Sequence, residues 1–241
     1  MYRQLDPERI VETADQLHRR VCERFPASGL SGVSAEVLSV AHDAKEKAAG
    51  VARPILELRI ALALGVGIVL AAGAYLATSV SLRNRALSWT EFAQGFDAGL
   101  NLIIVLGAAA FSLVTLERRI KRRRALKALY ELRVLAHVVE MHQLAKDPER
   151  VLHHGPRTAS SPVVTMTAFE LTRYLDYCSD MLALIGNLAA LHAQRYDDPV
   201  ALDAVDAIER LTTGISQKIW QKIVIINTAL AMRADDAPRV P

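Results

Sequence analysis

The 241-residue chain has few of the residues that mark the smaller structural classes. Its two cysteines, Cys22 and Cys178, are too few and too far apart for a disulfide framework or a C-x-x-C metal or redox site. Nine prolines and twelve glycines exclude collagen-like and low-complexity chains. Aromatic residues are only 5% of the sequence, but hydrophobic residues are 51%, too many for a disordered chain, and charged residues are 23%, too many for a chain lying wholly in lipid. The composition therefore predicts a protein that is part membrane-embedded and part soluble.

Two long apolar runs have no charged residue. Residues 60–80 read IALALGVGIVLAAGAYLATSV and would span about 31 Å as a helix, against about 30 Å for the hydrocarbon core of a bilayer. Residues 98–116 read AGLNLIIVLGAAAFSLVTL and would span about 28 Å. The alternative is a pair of buried core helices, but uncharged runs of this length are rare in soluble domains. We therefore predict a two-helix transmembrane hairpin over 57–117, with an outer loop at 81–97.

Basic residues predict the orientation of this hairpin. The loop has only Arg83 and Arg85, whereas eleven basic residues flank the two spans on the other side: Lys45, Lys47, Arg53, Arg59, Arg118, Arg119, Lys121, Arg122, Arg123, Arg124 and Lys127. Because basic residues stay on the cytoplasmic side, both termini should be cytoplasmic, with the chain in the bacterial inner membrane as a multi-pass protein. The run from Arg118 to Arg124 should bind anionic lipid. A nucleic-acid patch is the alternative for this run, but no recognition motif accompanies it, so no nucleic-acid partner is expected.

The outer loop carries its own helix signal. Ser88 and Glu91 form a capping-box pattern, and Trp89, Phe92 and Phe96 follow at helical spacing. This pattern predicts a short helix over 88–96 at the outer lipid interface, with Trp89 among the headgroups. A hairpin loop without regular structure is the alternative.

Small and polar residues in the spans are candidates for helix packing. Gly67 and Gly73 each belong to a small-xxx-small spacing, which allows helices to approach closely. Asn101 either donates a hydrogen bond across a helix contact or reaches water near the outer face.

The remaining sequence predicts helices on the cytoplasmic side, so the fold class is all-α. Three Asp-Pro pairs, beginning at Asp6, Asp147 and Asp198, are typical helix starts. Apolar spacing predicts a helix over 7–24, a break over 25–32, a second helix from about Ser34, and an unbroken helix from 98 to 146. The second helix has Val37, Val40, Ala44, Ala48 and Val51 on one side. Pro54 either starts the first membrane helix or kinks the join.

Two further helices, at about 165–195 and 199–233, carry heptad seams. The first seam is Leu171, Leu175, Cys178, Leu182, Ile185, Ala189 and His192; the second is Val205, Ile208, Ile215, Ile219, Ile223, Ile226 and Leu230. Apolar faces this wide fit three long helices in a bundle. We therefore predict N-terminal amphipathic helices over 1–56 and, over 118–241, the basic run followed by a cytoplasmic helical bundle.

Residues with catalytic or metal-binding chemistry do not form a recognised pattern. In HVVEMH, His137 and Glu140 share a helix face, but His142 lies about 140° away. The adjacent pair His153 and His154 supplies only two ligands. Cys178 occupies a seam position and is predicted to be a buried hydrophobe. The sequence therefore predicts no enzyme, no cofactor and no metal.

The predicted function is that of a two-pass membrane scaffold or sensor, which works through its cytoplasmic helices by self-association or by binding a cytoplasmic protein. The alternative is an oligomerising effector that permeabilises the bilayer. The order of parts, a two-span hairpin with flanking helices, resembles small bacterial two-span effectors such as the SLATT group. This resemblance implies a membrane-disrupting role and rests on architecture, without a shared residue motif.

Overall fold

A computed structural model describes residues 4–51, 56–81, 89–148, 166–195 and 198–235. Within these ranges the chain forms six α-helices and no strand, which confirms the all-α prediction. The helices are α1 (Pro7–Arg24), α2 (Gly29–Val51), α3 (Leu56–Ser81), α4 (Trp89–Leu144), α5 (Ala168–Arg195) and α6 (Pro199–Asp235). Pro54, His153 and His154 lie outside the described residues.

Side-chain caps begin several of these helices. Asp6 caps α1 by accepting the N–H of Glu8, and Asp198 caps α6 by accepting those of Val200 and Ala201 at 3.1 and 3.2 Å. The described range ends at Pro148, so the helix predicted to start after Asp147 lies outside the described residues. Two of the three Asp-Pro pairs therefore start helices because the carboxylate satisfies free backbone N–H groups.

The break after α1 is shorter than predicted. Helix α2 begins at Gly29 rather than near Ser34. Ser28 caps it, because its hydroxyl accepts the N–H of Ser31 at 3.2 Å and donates to the carbonyl of Phe25 at 2.8 Å. The early start brings Leu30 into the core, where it is fully buried.

The chain divides into two compact units. The bundle unit comprises Met1–Ala52 and Arg124–Pro241, and the apolar unit comprises Arg53–Arg123. Helix α4 belongs to both, since it continues through residues 123 and 124.

In the bundle unit, α1, α2, the end of α4, α5 and α6 enclose one hydrophobic core. Helix α5 packs along α6, α1 along α2, and both N-terminal helices contact α5. The end of α4 contributes Leu129, Leu132, Leu135, Ala136 and Val139 to this core. Since α5 contacts α1, α2 and α6, it has no wide solvent-facing side, which explains why its apolar face extends over Tyr174, Met181 and Leu188 as well as the heptad seam.

The predicted helix faces differ from the structure at two places. Leu230, the last residue of the α6 seam, is 40% exposed. Gly186 of α5 lies opposite Thr212 of α6, so in an antiparallel pair Leu230 lies beside Ala168, the first residue of α5. No further turn of α5 is there to cover the Leu230 side chain. In α2, Ala41 is buried while Val40 is only partly so, because the buried face follows Val33, Val37, Ala41 and Ala44.

The predicted outer loop is also shorter than expected. Helix α3 ends at Ser81, and α4 is already helical from Trp89. Residues 89–97 are therefore the first turns of the long helix, not a separate short helix and not a loop. Gly95 and Gly99 each weaken a helix by about 1 kcal/mol, and the following uncharged run continues it.

Candidate functional site: an apolar helical surface and the basic run after it

The apolar unit exposes large hydrophobic side chains along both of its helices. On α3 these are Ile60, Leu64, Ile68, Leu70 and Tyr75; on α4 they are Trp89, Phe96, Leu100, Ile103, Ile104, Val105, Phe111, Val114 and Leu116. Contiguous exposed apolar surface of this kind marks contact with a membrane or with another protein.

One described helix segment, Ala93–Leu144, is long and apolar enough to cross a membrane by length and composition. The most apolar stretch of 18 residues in this segment is not buried, whereas the core helix of a soluble protein would be mostly buried. The described apolar segment of α3, Ala63–Tyr75, is shorter than a span requires. Two membrane crossings therefore remain a prediction.

The basic run lies at the end of this apolar surface. Arg118, Arg119, Arg123 and Arg124 are exposed, while Lys121 and Arg122 are half-buried. The ammonium of Lys121 pairs with the carboxylate of Glu117 at 2.9 Å, one helical turn earlier. Trp89, the predicted interface residue at the other end of the surface, is 86% exposed.

The candidate packing residues of the spans are exposed within this chain. Gly67, Gly73 and Asn101 all lie on the surface. A Cβ built on either glycine would meet no heavy atom within 4 Å, so neither glycine marks a close helix contact among the described residues of the chain. Among the described residues, no close helix packing occurs at these positions because the small residues face outwards.

The candidate packing residues of the bundle are fully buried. Leu175, Cys178, Leu182, Ile185 and Ile219 each have 0% exposure. Burial raises the pKa of the Cys178 thiol to about 12, which keeps the sulfur protonated at neutral pH. A protonated, inaccessible thiol is a poor nucleophile and metal ligand.

A lysine clamp holds the end of α4 to α6. The ammonium of Lys222 donates to the backbone carbonyl of Gln143 at 2.9 Å, to its side-chain oxygen at 2.8 Å, and to the carbonyl of Lys146 at 3.1 Å. The last carbonyls of a helix have no partner within that helix, so Lys222 satisfies groups that would otherwise need water. Burial lowers the pKa of Lys222, and the carboxylate of Asp147 acts in the opposite direction.

Aromatic and glycine contacts surround this clamp. Lys146 lies over the ring of Tyr174 at 4.9 Å from its centroid, and Phe25 packs edge-on against the same ring. His142 occupies the space beside Gly29, where an added Cβ would come within 2.5 Å of the imidazole. No sequence pattern described above predicted this cluster. The available signal was Lys222 itself, a charged residue directly beside the core residue Ile223.

The described residues do not assemble a recognisable catalytic or metal centre. His137 Nδ1 lies 3.2 Å from Glu140, which also pairs with Lys218 at 3.6 Å, and His142 points elsewhere. No group of three potential metal ligands occurs among the described residues.

A second His-containing contact lies between α1 and α2. His18 Nδ1 lies 2.9 Å from the hydroxyl of Ser34, and the sulfur of Cys22 is 3.7 and 3.6 Å from the two ring nitrogens. A sulfur so nearly equidistant from both nitrogens packs against the ring instead of aligning with either one. The contact is therefore unsuited to a nucleophile–base pair.

Comparison with models of protein families, with curated proteins and with solved structures found no match for this chain.

Proposed function

We propose that the chain is a two-pass inner-membrane protein with both termini in the cytoplasm, and that its bundle unit acts there as a non-enzymatic scaffold or sensor. The observation that carries this proposal is that none of the most apolar stretch of α4 is buried in the chain. Water would disfavour that surface by about 25 cal/mol for each Å² of apolar area, and lipid removes this cost.

The basic run supports the orientation. Four exposed arginines lie directly after the second apolar run, whereas the predicted loop has two basic residues. Each basic residue near an anionic surface gains about 1 kcal/mol, so the cytoplasmic leaflet favours this end of α4. The same attraction makes anionic lipid a partner of the chain.

Cysteine accessibility tests the two-pass topology. In a chain whose native cysteines are replaced, a membrane-impermeant maleimide should label Thr90→Cys in sealed cells and should leave Ser160→Cys unlabelled. Ser160→Cys should become labelled once the membrane is permeabilised, which controls for reactivity. Labelling of Ser160→Cys in sealed cells, or labelling of Thr90→Cys only after permeabilisation, would contradict the topology.

An oligomerising effector is the second candidate function. It is favoured by the open faces of Gly67 and Gly73, because small residues that face outwards allow helices of other copies to approach closely. Replacing both glycines with leucine should then abolish dye leakage from vesicles containing the protein, while insertion is unchanged. A scaffold or sensor should cause no leakage in either form, so absence of leakage from the unaltered protein rejects the effector.

Continuity of α4 distinguishes a simple anchor from a protein that passes a signal along the helix. Two glycines inserted after Lys121 would each weaken the helix by about 1 kcal/mol and add a swivel. If α4 transmits rearrangements, the chain with this insertion should fail to restore the normal phenotype of cells from which the gene is deleted. Its membrane insertion and the folding of its bundle should be preserved. The control is an insertion of two alanines at the same place. It keeps α4 continuous but rotates the part after the insertion by about 200° relative to the part before it.

A further inference from the structure

A groove of about 570 Å³ lies on the surface of the bundle unit between α5 and α6. This volume is within the usual range of small-molecule sites, about 300–1,000 Å³. Its base includes the buried Leu182, and its rim includes Trp220. No charged residue lines it in the described part of the chain.

The polar side chains around this groove have unused hydrogen-bonding groups. Ser179, Thr213, Ser216, Gln217 and Gln221 make no hydrogen bond or ion pair within the described residues. Three hydroxyls and two carboxamides therefore converge on the groove with donors and acceptors available to a ligand.

Trp220 supplies the aromatic surface of the groove. Its side chain is 64% exposed and lies at the rim of the groove. An exposed indole next to free hydroxyl and amide groups offers a flat apolar face and a polar edge together. Sugars have the same combination, since the C–H faces of a pyranose ring are apolar and its rim carries hydroxyls.

We propose that this groove binds an uncharged saccharide, with one ring face against Trp220 and its hydroxyls on Ser179, Ser216 and the two glutamines. The groove contains no cation to pair with a phosphate and no carboxylate to pair with an amine, so charge on the ligand would gain no partner. The proposal concerns the bundle unit alone and does not depend on the membrane function proposed above.

Ligand-observed saturation-transfer NMR on the full chain in detergent tests this assignment. The probes are glucose, N-acetylglucosamine and maltose, together with glucose 6-phosphate and glucosamine, which keep the ring and add negative and positive charge respectively. At least one neutral sugar should bind saturably, and each charged counterpart should bind at least tenfold more weakly. Adenosine is included because a neutral nucleoside could use the same indole by stacking.

Matched variants locate the binding. Trp220→Ala should weaken sugar binding about tenfold, and Gln217→Ala about threefold to tenfold, the loss of one or two hydrogen bonds. Ile225→Ala is the control, since Ile225 is an exposed residue of the same helix outside the groove. Circular dichroism should show all three variants equally helical. Binding of adenosine without any sugar, tighter binding of a charged analogue, equal effects of Trp220→Ala and Ile225→Ala, or no binding to any probe would each overturn the proposal.

Discussion

Replacing Lys222 with methionine should measure what holds the end of α4 to the bundle. Methionine keeps an unbranched side chain but removes all three donations to Gln143 and Lys146. A hydrogen bond from a charged donor contributes about 1.5–3 kcal/mol, but these three share one ammonium whose partial burial offsets part of the gain. The Gln143 side chain is only 1% exposed and would lose its donor. We therefore expect the free energy of unfolding to fall by about 2–3 kcal/mol.

Lys218→Met is the matched control for this experiment. Lys218 lies one turn earlier on α6 and also reaches α4, where it pairs with Glu140 at 3.6 Å, but the Lys218 side chain is 66% exposed. Exposed pairs contribute about 0–1 kcal/mol, so this variant should be nearly neutral. Urea unfolding of the full chain in detergent, followed by circular dichroism, compares the two, and hydrogen exchange should be faster in the last turn of α4 only in Lys222→Met. Equal stability losses, or unchanged exchange in that turn, would refute the clamp.

Three other predictions follow from burial and charge. Leu182→Ala should destabilise the bundle by about 2–5 kcal/mol in urea unfolding, because Leu182 has 0% exposure. Leu202→Ala should cost clearly less, because Leu202 is 39% exposed. Similar costs would mean that the buried faces of α5 and α6 are misassigned. Cys178 should stay unreactive to a thiol reagent in the folded chain while Cys22 reacts, and modification of both thiols at neutral pH would contradict this. Since folding raises the pKa of Cys178 to about 12, the contribution of its protonated thiol to the free energy of unfolding should be lost as the pH rises from about 9 towards 12. Replacing the six basic residues from Arg118 to Arg124 with glutamine should mix the membrane topology and reduce binding to anionic vesicles, and unchanged labelling together with unchanged lipid preference would reject both roles.

Local sequence signals predicted the helices where one physical effect dominates. The α5 seam from Leu171 to His192 is buried at every position, because apolar residues at heptad spacing can be removed from water only on one face. Asp6 and Asp198 start helices because each carboxylate can accept N–H groups that have no other partner.

Signals that compete locally were misread or went unnoticed, and contacts that need a distant partner were missed. Ser28 follows Pro26 by two residues and directly precedes Gly29, so the pattern FPASGLSG was interpreted as a break, although the Ser28 hydroxyl caps α2. The box formed by Thr167 and Glu170 caps α5 through reciprocal hydrogen bonds of 2.8 and 3.2 Å, and the backbone bond it receives lowers the pKa of Glu170. The clamp joins Lys222 to residues 79 and 76 positions away, a separation that no periodicity encodes.

The position of the groove relative to the clamp gives the sensor proposal a physical route. Trp220 and Lys222 are two residues apart on α6, so they lie about 200° apart around its axis, one towards the groove with α5 and the other towards the end of α4. A ligand in the groove would contact α6 without touching α4 and could change the clamp only by displacing or stiffening α6. By thermodynamic reciprocity, a ligand that tightens the clamp must bind more weakly when the clamp is broken. Sugar affinity in Lys222→Met therefore reports whether the two sites are coupled, and equal affinity in both proteins would leave α6 as a scaffold that joins two independent sites.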